Sequence, residues 1–458
     1  MLELSGSVGS RSGSLARHFP LLGILLAYLV VGSLFALNTP AWQAPDEPAH
    51  YNYIRQLAAG TLPVIEPADY NERYRADAVS SGFAPEYPID ALTYEDWQPP
   101  LYYLLLTPAF LLGEAALLPL RLTSLLIGLG VVVATHQVAA HLWPNKPRLT
   151  FMATAFVAFL PQHIAILASL NNDSLAELIV ALILWSLAAI VGMHRRHAQV
   201  TSQRWLALGL LLGLGFLTKL TVYIMAPVVV VTILLVDWRE WLVVTRKLLL
   251  VFMPALSTGA IWWLRNLVIY TGFDPLATTA HDAAVVGQTR TAEWIATYGA
   301  AGTFGRFVTT TFRSFWGQFG WMGVLMDSRV YQLLLLFSVA VIAGLFWRLV
   351  HAGSSASEAP SRRDVPVLRI VLGSTFLLNL ALYLFYNVNF VQHQGRYLFA
   401  ALIPIAVAVA AGIDAWIRPV AARWAPIHWL MPSLFAIALV GLDLMALFRY
   451  IVPQLAAR

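Results

Sequence analysis

A chain of 458 residues that is 59% hydrophobic and only 12% charged, at a mean hydropathy of +0.68, is too apolar for a water-soluble globule. Its net charge of +5 lies in no basic tract interleaved with aromatic residues, so nucleic acid is not the partner to expect. Cysteine is absent, which excludes disulfides, thiolate metal sites and thiol nucleophiles.

The first apolar run, residues 19–37, follows Arg11 and Arg17 and reads as an uncleaved membrane span. After it comes NTPAWQAPDEPAHYNYIRQLAAG, residues 38–60, in which Pro45 sets a turn, Asp46 caps a helix and Pro48 sits in its first turn. On that helix Asp46 and His50 share one face, with Glu47 at its edge and Tyr51 one position on. A carboxylate beside a low-dielectric surface suits a general base, and Asp46 is read both as that base and as a helix cap. An Asp/His pair at this spacing is a weak metal signal, and a local hydrogen bond is the plainer reading of His50.

Further along the first loop, YEDWQPPLYY places Glu95, Asp96 and Gln98 ahead of a double proline that opens an aromatic helix. Tyr102 and Tyr103 read as anchors at the membrane interface. The stretch 99–118 carries Pro99, Pro100, Pro108 and Glu114, and the distribution of Lys and Arg among the loops favours an interfacial helix over a span.

Further spans are expected at 121–143, 149–169, 174–193, 247–270, 330–350, 366–386, 397–417 and 427–449, with 205–236 forming two short helices that meet at Thr218 and Lys219. The fold class is therefore all-α and polytopic, with about eleven spans, the N-terminus inside and the C-terminus outside. Residues 1–351 form the main module and 352–365 a cytoplasmic linker, with the last spans at 366–458. The loops at 38–120 and 271–329 fall outside the cytoplasm, and the first gathers ten acidic residues between Asp46 and Asp96. The aromatic-rich second loop reads either as cover for an acceptor or as packing on the membrane.

Asn172 or Asp173 is expected to cap the next helix, with Glu177 one turn inside it. Lys219 at its tip, Arg265 near a span end, and Arg396 with His393, Gln394 and Tyr397 around it put three cations on one leaflet, a pattern suited to phosphate at the membrane surface.

In order and spacing, AWQAPDEPAHYNYIRQLAAG, WQPPLYYLLL, RLTSLL, NNDSLAE, GLGFLTKLTV, WWLRNLVIYTGFDPLA, SFWGQFGWMG and QGRYLFAALIPI resemble the bacterial integral-membrane glycosyltransferases of the GT-C superfamily. The relatives in question are the lipid A aminoarabinose transferase, the protein O-mannosyltransferases and a bacterial group whose first loop also carries PDEPAH.

The resemblance implies a GT-C fold with interfacial helices in a large first extracytoplasmic loop. It implies an essential acid there, carried onto Asp46 with Glu47 beside it, and a second acid at Asp173. It also implies a polyprenyl-phosphate sugar donor, undecaprenyl phosphate being the bacterial form, inversion at the anomeric carbon, and a lipid, glycan or protein acceptor outside a bacterial inner membrane. Candidate substrate contacts are His50, Tyr51, Glu95, Asp96, Gln98, Tyr103, Lys219, Arg265, His393, Gln394, Arg396 and Tyr397. Gln98 stands where the aminoarabinose transferase has a lysine. The resemblance leaves a divalent metal open, with Asp46, His50 and Asp173 as its ligands. Two other classes fit a polytopic chain: a transporter or lipid flippase, and a polyprenyl-phosphate-binding protein without catalysis.

Overall fold

The computed structural model describes residues 9–351 and 365–455. The linker read at 352–365 therefore lies outside the described residues, save Val365, which starts a helix. The chain is a multi-pass helical membrane protein. Among the described residues nine helices are long and apolar enough to cross a membrane, or ten if a bent pair is one span. The expected eleven is reached only by adding the 15-residue α9, Ser202–Phe216, which is short for a crossing.

The first span belongs to α1 (Gly9–Asn38), and the outer loop that follows carries α2 (Glu47–Ala58), α3 (Glu72–Ser80) and α4 (Leu101–Leu112). At 12 apolar residues α4 is too short to span, in line with the interfacial reading. Next, α5 (Leu117–Leu142) leads to α6 (Pro147–Ala158) and α7 (Pro161–Leu167), which meet at 61°. The expected straight span at 149–169 is thus broken, because Pro161 removes a backbone donor and Leu160 before it is extended, at ψ 118°.

Beyond α8 (Asp173–Arg195), α9 ends at the polar tip foreseen around Lys219, and a 3₁₀ turn enters α10 (Met225–Asp237). The long α11 (Trp241–Ile269) then packs along α9.

Residues 271–329 are more helical than a loop reading implies. They hold α12 (Thr278–Ala284), the 26-residue α13 (Thr291–Trp316), which breaks at Gly299 with φ 71°, and a hairpin of β1 (Gln318–Phe319) and β2 (Val324–Leu325). Small residues mixed with Thr and aromatics leave no long apolar run in α13, so its periodicity is faint in the sequence.

Spans α14 (Ser328–Val350), α15 (Val365–Asn389), α16 (Leu402–Ala421) and α17 (Ile427–Met445) follow, ending in the short α18 (Val452–Leu455). Helix α16 packs against both α6 and α14, so the chain on either side of 352–364 shares one apolar core.

Above that core the outer loops build a second, smaller one from Ala49, Leu92, Tyr94 and Val285, with Tyr70, Phe83 and Trp321 against it. The Trp321 indole donates to the Trp42 carbonyl at 3.0 Å, clasping the hairpin onto the first loop.

Glu47 and Arg121 lock that loop to the bundle. The guanidinium donates to both Glu47 oxygens, at 2.8 and 2.6 Å, and to the carbonyls of Ala36, Thr39 and Pro40. The backbone amides of Trp42 and Leu170 also donate to Glu47, whose side chain is fully buried. Removing one charge from such a pair strands the other, so Glu47→Gln is expected to cost about 3 kcal/mol of stability, read as a lowered denaturation midpoint in detergent.

Candidate active site

The site forms where the ends of α1, α7, α9 and α15 meet the first loop. Ala44 to Glu47 makes a turn closed by the Glu47 amide on the Ala44 carbonyl, and Asp46 takes φ 68°, ψ −4°. Those angles suit the third residue of a type II turn with proline second, and aspartate tolerates the left-handed region better than most residues.

This geometry corrects the capping expectation. Asp46 precedes α2 but makes no side-chain cap bond; its carboxylate accepts from Arg396 Nη2 at 2.7 Å and from the Tyr94 hydroxyl at 3.0 Å. Burial pushes the Asp46 carboxyl up, but Arg396 pulls it below the ordinary range.

Arg396 is held by a close packing contact. A Cβ on Gly395 would lie 2.4 Å from the Phe315 amide nitrogen and from the Thr311 carbonyl oxygen, so only glycine lets the 3₁₀ turn that enters α16 (Gly395–Ala401) sit on α13. The Gly395 amide donates to Ser314 Oγ at 2.7 Å. Of the guanidinium, Nη2 serves Asp46, whereas Nε and Nη1 are buried and without partner.

Beside Arg396 a narrow cleft is lined by Asp173, Glu177, Thr221 and Tyr397, and Lys219 Nζ donates to this Asp173 at 2.6 Å. The Asp173 amide donates to Asn171 Oδ1 at 2.9 Å, so Asn171, rather than Asn172 or Asp173, satisfies the start of α8. The amide of Leu101 donates to the Leu217 carbonyl at 2.9 Å, which brings the Pro-Pro corner up to the Lys219 tip.

Glu95 belongs to the same field. Burial first, then the charge of Asp46, push its carboxyl up to about 8, against Lys219 and Arg396. Asp96 next to it is pushed up to about 8 by burial and accepts from Gln56 Nε2 at 2.7 Å. At neutral pH the site therefore balances two cations against Asp46 and Asp173.

Buried polar atoms without partners collect here: Glu95 Oε2, Gln98 Oε1 and Asn172 Oδ1 besides the two Arg396 nitrogens. Such orphans are costly unless a ligand meets them. Raising pH through 8 ionises Glu95, together with Asp96 beside it, and adds repulsion toward any anion in the cleft. Anion affinity is expected to fall across that limb and to fall less steeply in Glu95→Gln, measured by equilibrium binding from pH 6.5 to 9.

His50 is pulled down to about 3 by burial, so it is neutral, with Nδ1 3.0 Å from the Tyr103 hydroxyl. Tyr102 and Tyr103 are fully buried, which corrects the anchor reading. The Tyr102 hydroxyl accepts from the Asn171 amide at 3.0 Å, Asn172 Nδ2 approaches the Tyr103 hydroxyl at 3.4 Å, and Tyr103 stacks on Tyr53.

Other candidates stand apart. Tyr51 donates to the Ala115 carbonyl at 2.7 Å, bracing α2 to the turn after α4. Arg265 gives Nη1 to Asn266 and Tyr270 and Nη2 to the Pro63 carbonyl and lies over the Trp262 ring, leaving Nε buried without a partner, whereas Lys219 and Arg396 are the cations paired with Asp173 and Asp46. His393 packs edge-on against Trp294 and Phe307, while Gln394 donates to Gln392. Glu47 is saturated by Arg121 and has no oxygen left for chemistry.

Among the described residues no group of three or more His, Asp or Glu is arranged to hold a metal ion. Asp46 and Asp173 each face a cation and His50 faces Tyr103, so this trio does not fit a divalent ion, and no step below passes through one.

Sequence reasoning passed over His163 and Tyr94. His163 Nδ1 lies 2.6 Å from the Val157 carbonyl, so Nδ1 carries a hydrogen, and Nε2 shares a proton with Glu177 Oε2 at 2.6 Å. Glu177 thus meets the cleft as half of a buried pair.

Residues 97–263 match the family model of the dolichyl-phosphate-mannose-protein mannosyltransferases. The chain also superposes on the crystal structure of ArnT from Cupriavidus metallidurans bound to undecaprenyl phosphate, at TM-score 0.50 and 13% identity, over 95% of this chain and 74% of that one. The fold is that of the GT-C membrane glycosyltransferases. The family-model match takes in Gln98, Asp173 and Lys219 and stops short of Asp46 on one side and of Arg396 on the other. No curated protein matches the chain by sequence.

Proposed function

We propose that this chain is an inverting glycosyltransferase that moves a sugar from a polyprenyl-phosphate donor to a lipid, glycan or protein acceptor. The site faces the extracytoplasmic side of a bacterial inner membrane. The observation that carries the reading is Arg396, whose Nε and Nη1 are buried and unpartnered while Nη2 holds Asp46. A donor phosphate can accept from a free N–H at either of those nitrogens, with Lys219 beside Asp173 adding a second cation. The GT-C fold and undecaprenyl phosphate in the ArnT structure support that donor class.

The reaction follows from these groups. The acceptor hydroxyl or amine attacks the anomeric carbon from the face opposite the phosphate, its proton passes to Asp46, and the carbon–oxygen bond to the phosphate breaks with inversion. The leaving phosphate keeps the bonding electrons and is stabilised by Arg396 and Lys219, so it needs no proton. Phosphate on Arg396 competes with Asp46 for the guanidinium, which loosens the carboxylate and strengthens it as a base.

Transfer or hydrolysis of labelled sugar from a panel of polyprenyl-phosphate sugars, by purified protein in detergent, tests the reading. Turnover of one donor is the expected result. No turnover of any donor, with no binding of polyprenyl phosphate, would overturn it.

A further inference from the structure

The end of the bundle opposite the candidate site carries a second concentration of charge. Arg396 opens and Asp414 nears the end of one 27-residue span, so roughly 25–30 Å of helix, about a hydrocarbon thickness, separates the two. Asp414 is fully buried. Arg148 Nε and Arg418 Nε donate to it at 2.9 and 2.7 Å, and Arg348 Nη1 stands off at 3.6 Å. Arg148 also meets His428, and the charge of Arg369 reaches Arg348.

One carboxylate cannot neutralise this set. Both Asp414 oxygens are taken by Arg148 and Arg418, and at 3.6 Å Arg348 Nη1 makes no hydrogen bond, remaining a buried donor without a partner. The three arginine side chains are each partly exposed, at 20, 26 and 43% for Arg148, Arg348 and Arg418, so an anion can reach them from outside. Trp347, next to Arg348 in sequence, and Trp424, which follows the end of the helix carrying Asp414 and Arg418, are half-exposed and mark headgroup depth, where an anion is more readily a lipid headgroup than a soluble ion.

We propose that this cluster binds the phosphate of an anionic phospholipid in the leaflet opposite the candidate site. Guanidinium groups partly removed from water favour a phosphate over a zwitterionic headgroup, whose own cation repels them. The site is separate from the transferase chemistry and stands whether or not that reading does.

The test titrates full-length protein in a fixed detergent with phosphatidylglycerol, with phosphatidylcholine of the same chains, and with inorganic phosphate, reading bound lipid by native mass spectrometry and the denaturation midpoint. Phosphatidylglycerol is expected to be retained and to raise the midpoint, with phosphatidylcholine at least about tenfold weaker. Arg348→Gln and the more exposed Arg418→Gln should each lose about tenfold in phosphatidylglycerol affinity. Equal retention of the two lipids would overturn the proposal, as would unchanged phosphatidylglycerol affinity in the folded Arg418→Gln protein. A midpoint shift with inorganic phosphate that matches the lipid's would overturn the lipid assignment and make the ligand a soluble phosphate.

Discussion

Asp46→Asn is expected to give a folded protein whose sugar transfer has fallen by about two to four orders of magnitude. The asparagine keeps one oxygen to accept from Arg396, which now donates to Asp46 Oδ2 at 2.7 Å, and its Nδ2 can donate to the Tyr94 hydroxyl, which now donates to Oδ1 at 3.0 Å, so what it loses is the charge and the proton-accepting ability. Phosphate binding should hold or improve, because the carboxylate that competes for Arg396 is gone. Single-turnover transfer from labelled donor, alongside donor affinity, separates the two effects. Near-normal transfer would remove Asp46 from the base role and leave Asp173, paired with Lys219, as the carboxylate to examine.

The sequence showed the spans because each is a long apolar run, and it showed the Lys219 tip because a lysine interrupting such a run needs a polar exit. The Ala44–Glu47 turn was legible from Pro45, but the destination of the Asp46 carboxylate was not. Its partner lies 350 positions away, and nothing local distinguishes a cap from an ion pair. The same holds for Glu47, which is an unremarkable first-turn acid until Arg121 of α5 is folded against it.

Direction was the other quantity the sequence withheld. In α4, Tyr102 and Tyr103 are fully buried whereas Leu104 and Leu105 are about half exposed, the reverse of what an interfacial aromatic anchor implies. Both pairs are apolar enough for either face; contact with the turn at Asn171 and Asn172 decides which turns inward. The local partners of Arg265 were hidden for a related reason: nothing in the sequence near it points to the carbonyl of Pro63, 202 positions away.

Arg396 has two tasks in this structure, and two substitutions are expected to separate them. Lysine keeps the charge and the pairing with Asp46 but lacks the further N–H groups that the guanidinium keeps free at Nε and Nη1. Arg396→Lys should therefore keep its denaturation midpoint and lose on the order of 10³-fold in kcat/KM for the donor. Arg396→Gln removes both functions and strands Asp46, so it should lose activity and stability together. Adding Asp46→Asn to Arg396→Gln relieves the stranded carboxylate, and the double variant should be more stable than the sum of the singles by about 1–3 kcal/mol. Additive midpoints would mean that the pair is solvated and the site less enclosed than the burial of Arg396 indicates. Full donor affinity in Arg396→Lys would move the phosphate away from the two free nitrogens and onto Lys219 alone.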